Sequence, residues 1–335
     1  MRKPNFLIVG AAKSGTTSLF QYLRGHPDVF MPDIKEASYF AGGGIPTEAD
    51  YLSLFRHAGT KRAVGEASGA YLYLPETAAA IQALLGPAAR IVIILRNPID
   101  MAYSLWGHMR REGNEPLTFS EALKAEKSRM ADPAFHRQAK SWSYNFAYLE
   151  RALYARQVAR YLETFDPSRV HVLIFEEFFA DAQAGFAELC RFLDIASDYQ
   201  PVFQPYNQSS VIRSQFLHHV LEEQRPWKNL LKALTPLGPR LRLKAWLHEV
   251  NQRPQRLPPL SHAERVRLWQ VFSPDVAELE RLLGRRLECW GVQASSVSLE
   301  SAARAEALSS GGPGSRQPNR AAELGLEERS TSDCA

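Results

Sequence analysis

The chain has 335 residues, with 40 Lys and Arg against 36 Asp and Glu, a formal charge of +4, and 45% hydrophobic against 23% charged residues. These proportions are ordinary for a soluble protein and agree with one globular domain that buries a sizeable core. Cys190, Cys289 and Cys334 have no paired spacing, which argues against a disulfide scaffold or thiolate metal centre, and no stretch approaches the roughly 20 apolar residues that span a bilayer.

In chain order, apolar runs predict strands at 5–9, 63–65, 90–95 and 170–175, and helical periods predict helices at 16–25, 75–85, 98–111, 118–129, 143–164, 182–193 and 262–283. The apolar run after Met1-Arg-Lys-Pro is short and interrupted by Lys13, so it reads as the first strand rather than a signal peptide. Such alternation predicts an α/β fold, a P-loop-like, mostly parallel sheet flanked by helices on both faces, with ligands at the carboxyl ends of the strands. Residues 1–294 form one catalytic domain on this reading. Residues 295–335 turn to Ser, Ala, Gly, Arg and Glu and are expected to form a disordered tail.

The first strand runs into Gly10-Ala-Ala-Lys-Ser-Gly-Thr-Thr17, a small-residue loop that opens a helix. Backbone N–H groups, the helix dipole and Lys13 can converge there on a phosphate. Gly10 and Gly15 have Walker A spacing, but Thr16 occupies the lysine position and the lysine lies inside the loop. The strand 90–95 ends in Arg96-Asn-Pro, where a nucleotide enzyme with a Walker B site presents Asp. Two cationic strand tips suggest a ligand with phosphates at both ends and no metal. The fork of Arg96 suits a phosphate, and a helix from Pro98 places Ser104 about two turns along.

Lys13-Ser-Gly-Thr-Thr, His26-Pro-Asp-Val, Lys35-Glu-Ala-Ser-Tyr-Phe, Gly65-Glu-Ala-Ser with Tyr71 and Pro75-Glu76, Leu95-Arg-Asn-Pro-Ile-Asp-Met-Ala-Tyr-Ser, Phe175-Glu-Glu-Phe, Phe192-Leu-Asp and Leu287-Glu-Cys-Trp290 together resemble sulfotransferases that use 3′-phosphoadenosine 5′-phosphosulfate (PAPS), especially bacterial members and the heparan sulfate and carbohydrate enzymes. The resemblance spans roughly residues 5–292. It implies PAPS as co-substrate and 3′-phosphoadenosine 5′-phosphate (PAP) as product. The first loop, Lys13, Ser14, Gly15, Thr16 and Thr17, would take the 5′-phosphosulfate, and Arg96 and Ser104 the 3′-phosphate. Arg213 would join the 3′ side from a late loop that begins at Asn207.

Glu36 is the leading general base on this resemblance, Lys13 the cation for the bridging oxygen, and His108 an alternative base because cytosolic small-molecule members use histidine. Ala67 stands where heparan-type enzymes carry a lysine, so another cation, or His108, would have to compensate. The expected acceptor is a small molecule, glycan or lipid, with no nucleic acid partner. Residues 225–256 hold eight Lys or Arg against only Glu249, with Trp227 and Trp246, which fits an acceptor lid, a membrane-surface segment or a solvated face. The expected setting is a reducing, bacterial cytoplasm. A P-loop kinase and a catalytically inert nucleotide binder are the competing readings.

Overall fold

The computed structural model describes residues 2–42, 45–139, 141–203, 210–212, 252–254 and 257–293. Five parallel strands lie in the order β2-β3-β1-β4-β5: β1 (Phe6–Gly10), β2 (Val29–Phe30), β3 (Ala63–Ala67), β4 (Arg90–Leu95) and β5 (Val170–Ile174). Phe6 pairs with Gly65 on one side and with Arg90 on the other, and Ile91 pairs with Val170. An added short antiparallel pair joins β6 (Ser210–Ile212) to β7 (Gln252–Pro254).

Strand residues alternate between two buried faces, so β1 and β4 read as continuous apolar runs. Leu7, Val9, Ile91, Ile93 and Leu95 enter one core, together with side chains from α3 (Thr77–Leu85), α4 (Pro98–Arg111), α7 (Ala155–Thr164) and α10 (His262–Leu283). Phe6, Ile8, Val92 and Ile94 enter the other, with α1 (Thr16–Arg24), α8 (Phe175–Ala180) and α9 (Ala182–Leu193). A third cluster packs Tyr51 of α2 (Glu48–Ser53) and Phe55 on Val64. Gly65 is dictated by sheet packing, because a Cβ there would lie 2.4 Å from the Phe6 ring.

The helices expected at 98–111, 182–193 and 262–283 have those bounds, and α5 (Phe119–Ala131) runs two residues past its expected end. The single helix expected at 143–164 is instead two 3₁₀ turns, Ser143–Phe146 and Glu150–Ala152, before α7. One buried and one half-buried carboxylate cause the break. Glu126 accepts from the N–H groups of Leu149 and Glu150 at 2.8 and 2.9 Å, and Asp275 from Tyr154 and Ala155 at 2.6 and 3.1 Å. These partners satisfy backbone donors that a continuous helix would have used internally. The short β2, α2, α6 (Pro133–Gln138) and α8 had no periodic signal of their own.

Residues 290–293 strap the tip of β4. Asn97 Nδ2 donates to the Gly291 carbonyl at 3.1 Å, and Glu176 accepts from Asn97 N at 3.0 Å and from the Trp290 indole at 2.8 Å. Arg265 pairs with Asp100 at 2.7 Å and donates to the carbonyls of Val292 and Gln293. The proposed catalytic unit thus runs at least to Gln293, and the tail expected at 295–335 lies outside the described residues. Trp290→Phe removes a buried donor from Glu176 and should cost about 1–3 kcal/mol in urea unfolding. An unchanged midpoint would show that the strap does not hold β4.

Candidate active site

Strands β2 and β3 lie on one side of β1, and β4 and β5 on the other, so connections diverge between β1 and β4. Their carboxyl ends form the crevice in which open α/β sheets bind ligands. The β1 loop bends there through Lys13 (φ 57°) and Gly15 (φ 93°) into α1. A Cβ at Gly15 would meet the Phe179 and Phe175 rings at 3.0 and 3.2 Å, so glycine is required both for conformation and for space. No acidic residue occupies the first turn of α1 and no side chain caps it, which leaves its N–H groups directed at the crevice.

Arg96 bridges the two strand tips. Its Nη1 donates to the Lys13 carbonyl at 3.3 Å, and its guanidinium lies 4.8 Å from the centre of the Phe175 ring. The Tyr154 hydroxyl donates to the Arg96 carbonyl at 3.0 Å and also meets Ser14. Ser14 is fully buried, with its hydroxyl on the Ala12 carbonyl at 3.2 Å, so the backbone N–H is what it can present to a ligand. Thr16 is buried and Thr17 half-buried in the first turn of α1.

Ser104, His108 and Arg111 recur at i, i+4 and i+7 along α4, all half-buried, and so share the face turned to the crevice. Burial, Arg111, Arg96 and Lys35 push the Lys13 amine down to about 8. Burial, with Lys13, Arg111 and Arg151 nearby, pushes His108 down to about 3, which keeps it neutral at physiological pH. The structure therefore adds Arg111 and Arg151 to the cations expected from sequence. Arg111 was signalled by the i+3 step from His108; Arg151 fell within an expected regular helix and had no signal.

Glu36 is exposed and has a left-handed backbone (φ 61°), uncommon for a non-glycine residue. Its N–H donates to the Ala67 carbonyl at 2.9 Å, its Oε2 accepts from Gly69 N at 2.9 Å, and its Oε1 accepts from Lys35 Nζ at 2.5 Å. Lys35 thus sits on Glu36 and within electrostatic reach of Lys13. Arg111 and Lys35 supply charge near Lys13 where Ala67 brings none. Arg213 lies outside the described residues, as does the basic segment 225–256 apart from Gln252–Pro254.

Behind Glu36 lies a buried carboxyl that sequence reading did not single out. Glu66, at the end of β3, accepts from the Tyr51 hydroxyl at 3.3 Å and the Ser68 hydroxyl at 2.9 Å. Ser68 Oγ in turn accepts from Ser38 N at 3.1 Å, which ties the Glu36 loop to β3. Burial, reinforced by the Glu36 charge and opposed by hydrogen bonds from Ser68, Tyr71 and Tyr51, pushes Glu66 up to about 7. Among the described residues, no three His, Cys, Asp or Glu side chains gather as a metal-binding group.

The sulfotransferase-domain family model matches residues 3–215. The chain belongs to the sulfotransferase family. A crystal structure of a sulfotransferase from Alicyclobacillus acidocaldarius superposes with a TM-score of 0.64 at 32% identity, covering 87% of this chain and 99% of that one. Membrane-associated sulfotransferase kil1 of Dictyostelium discoideum is 22% identical over 68% of this chain and 65% of its own length. Bifunctional heparan sulfate N-deacetylase/N-sulfotransferase 4 of mouse is 28% identical over 58% of this chain. This chain spans less than two thirds of these two curated relatives, and 23% of the mouse protein.

Glu66 gives this sulfotransferase a pH signature. An acid whose pKa rises on folding stabilises the native state below its unfolded value and loses that contribution as pH rises to the folded value, here from about 4.5 to about 7. His108 acts in the opposite sense, losing stability as pH falls from 6.5 toward about 3, so the informative quantity is the difference between two proteins that share it. Glu66→Gln should therefore melt above the wild type at pH 8 by a clearly larger margin than at pH 5. A margin independent of pH would show that Glu66 is not protonated in the native state.

Proposed function

We propose that this chain transfers a sulfuryl group from PAPS to a hydroxyl, or an amine, of a carbohydrate, lipid or secondary-metabolite acceptor. The observation that carries this reading is the bridge between Arg96 and the Lys13 carbonyl, which puts the two cationic strand tips at one switch point. A dinucleotide-sized anion with phosphate at both ends fits this arrangement. A kinase reading would have β4 deliver a carboxylate toward a nucleotide-bound metal, and β4 here delivers Arg96. An inert binder would have no use for Glu36 held in a left-handed conformation by three hydrogen bonds.

On this reading the loop of Lys13, Ser14, Gly15, Thr16 and Thr17 holds the 5′-phosphosulfate, and Arg96 and Ser104 hold the 3′-phosphate, joined by Arg213. Lys13 stabilises charge on the leaving phosphate oxygen as the S–O bond breaks. Glu36 takes the acceptor proton as the new S–O bond, or S–N bond for an amine, forms; each of its oxygens keeps a lone pair beyond the bonds from Lys35 and Gly69. His108 is the weaker candidate base, because burial and then the surrounding cations oppose its protonation. It donates or accepts a hydrogen bond as a neutral imidazole instead. The free thiols Cys190 and Cys289 suit a reducing, cytoplasmic setting, which we include in the proposal together with a bacterial origin. No described helix is long and apolar enough to cross a membrane.

Calorimetry tests the donor site. PAP should bind at least about tenfold (1.4 kcal/mol) tighter than ADP, with EDTA having no effect, and Arg96→Ala should erase that preference. Equal affinities or a strict Mg²⁺ requirement would sink the proposal. An amine that titrates near 8 in the free protein is charged below that pH, so PAP affinity should fall about tenfold from pH 7 to 9 and stay flat in Lys13→Arg. In single-turnover transfer, Glu36→Gln should lower the rate by about 10² to 10⁴ with PAP binding intact, whereas His108→Ala should cost far less. The reverse order would make histidine the base.

A further inference from the structure

Three arginines are enclosed by the described structure beside their charge partners or without them. Arg129 forms a double hydrogen bond with Glu115, at 2.6 and 3.1 Å, and Arg265 pairs with Asp100 at 2.7 Å. Arg151 is 4% exposed and has no carboxylate partner among the described residues. Its Nη1 donates to Asn145 Oδ1 at 2.8 Å and its Nη2 to the Gly69 carbonyl at 3.2 Å, and the rings of Tyr144 and Tyr73 lie 5.5 and 5.7 Å away. Its hydrogen-bond partners among the described residues are neutral and Glu36 acts on it only through space, and a buried cation held this way is costly unless an anion reaches it directly.

The place where that anion would sit is defined by Gly69, which accepts from Arg151 through its carbonyl and donates to Glu36 Oε2 through its N–H. Guanidinium and carboxylate therefore bracket a single residue, within about 10 Å of each other. Trp142 stacks on Tyr144, with ring centres 5.9 Å apart and planes 10° apart, and is 48% exposed, one of the few large apolar side chains left in water among the described residues. A flat aromatic wall thus leads from solvent to Arg151. An added Cβ at Gly69 would lie 3.7 Å from both Ala12 Cα and Glu36 Oε1, so Arg151, on the Gly69 carbonyl, borders the same crevice as the phosphosulfate loop and the base.

We propose that Trp142, Tyr144 and Arg151 form the acceptor subsite, and that it selects a ring-bearing acceptor carrying a carboxylate at the end opposite the hydroxyl that is sulfated. The ring lies against Trp142 and Tyr144, the carboxylate meets Arg151, and the hydroxyl reaches Glu36. This rests on the sulfotransferase reading of the same crevice. Arg151 is a specificity residue here; the transferred group does not touch it.

The test uses the full chain saturated with PAP and two near-isosteric probes, 4-hydroxyphenylacetate and its neutral amide. Calorimetry should show the carboxylate binding at least about tenfold tighter, and sulfuryl transfer from PAPS should show the same ratio in kcat/KM. Arg151→Gln should remove the ratio by weakening the carboxylate alone. Trp142→Ala, at an exposed position that does not endanger folding, should weaken both probes severalfold with PAP affinity unchanged. Equal binding of the two probes, no detectable binding of either to a protein that does bind PAP, or wild-type probe affinity in Trp142→Ala would each overturn the subsite. Failure to bind PAP would instead overturn the sulfotransferase reading.

Discussion

Concentrated positive charge at one edge of the sheet is the constraint on which the rest of this structure depends. Lys13, Lys35, Arg96, Arg111 and Arg151 converge on the carboxyl ends of β1, β3 and β4, and burial, reinforced by the repulsion among these cations, depresses Lys13 and His108 together. Such a cluster is unstable unless the backbone beneath it is fixed. Parallel pairing of β1 with β3 and β4, through side chains buried on both faces, provides that fixed base. The Arg96 bridge to the Lys13 carbonyl and the Tyr154 hydroxyl on the Arg96 carbonyl then lock the two tips to each other.

Carboxylates fall into three roles around this cluster. Glu126, Asp275, Glu176 and Glu115 are turned to structural use, accepting from backbone N–H groups, Trp290, Tyr148 and Arg129, and they hold the turns that frame the crevice. Glu66 is kept out of water behind β3, where a proton rather than a cation relieves its burial. Glu36 is exposed to the crevice, in contact with Lys35 and tied to Gly69. The balance leaves the crevice strongly cationic, which suits the proposed polyanionic donor, while Glu36 is the carboxylate proposed to take the acceptor proton.

Particular elements show where sequence reading succeeds. The runs in β1 and β4 are bounded by turn residues, and α4 has Asn97 as its cap and Pro98 at its first position, so their bounds follow from local chemistry. Lys13 and Arg96 were legible for the same reason, being the first charged residues beyond apolar strands. Arg111 was legible in principle from the α4 period. Arg151 was not, because its segment looks helical and is broken only by Glu126 and Asp275, 23 residues or more away along the chain.

The sequence by itself determined the parallel α/β class, the loop around Lys13 and the cation at the β4 tip, because each follows from periodicity or a short spacing within a few residues, while Glu36 as candidate base came from the family resemblance alone. Only the tertiary structure decided that Lys13 and Arg96 touch, that Glu66 is sealed behind Glu36, and that Arg151 is buried without a carboxylate. Those facts depend on burial and on partners brought together by strand order. No local pattern encodes a desolvation cost, since that cost is set by whatever the rest of the chain packs around the group.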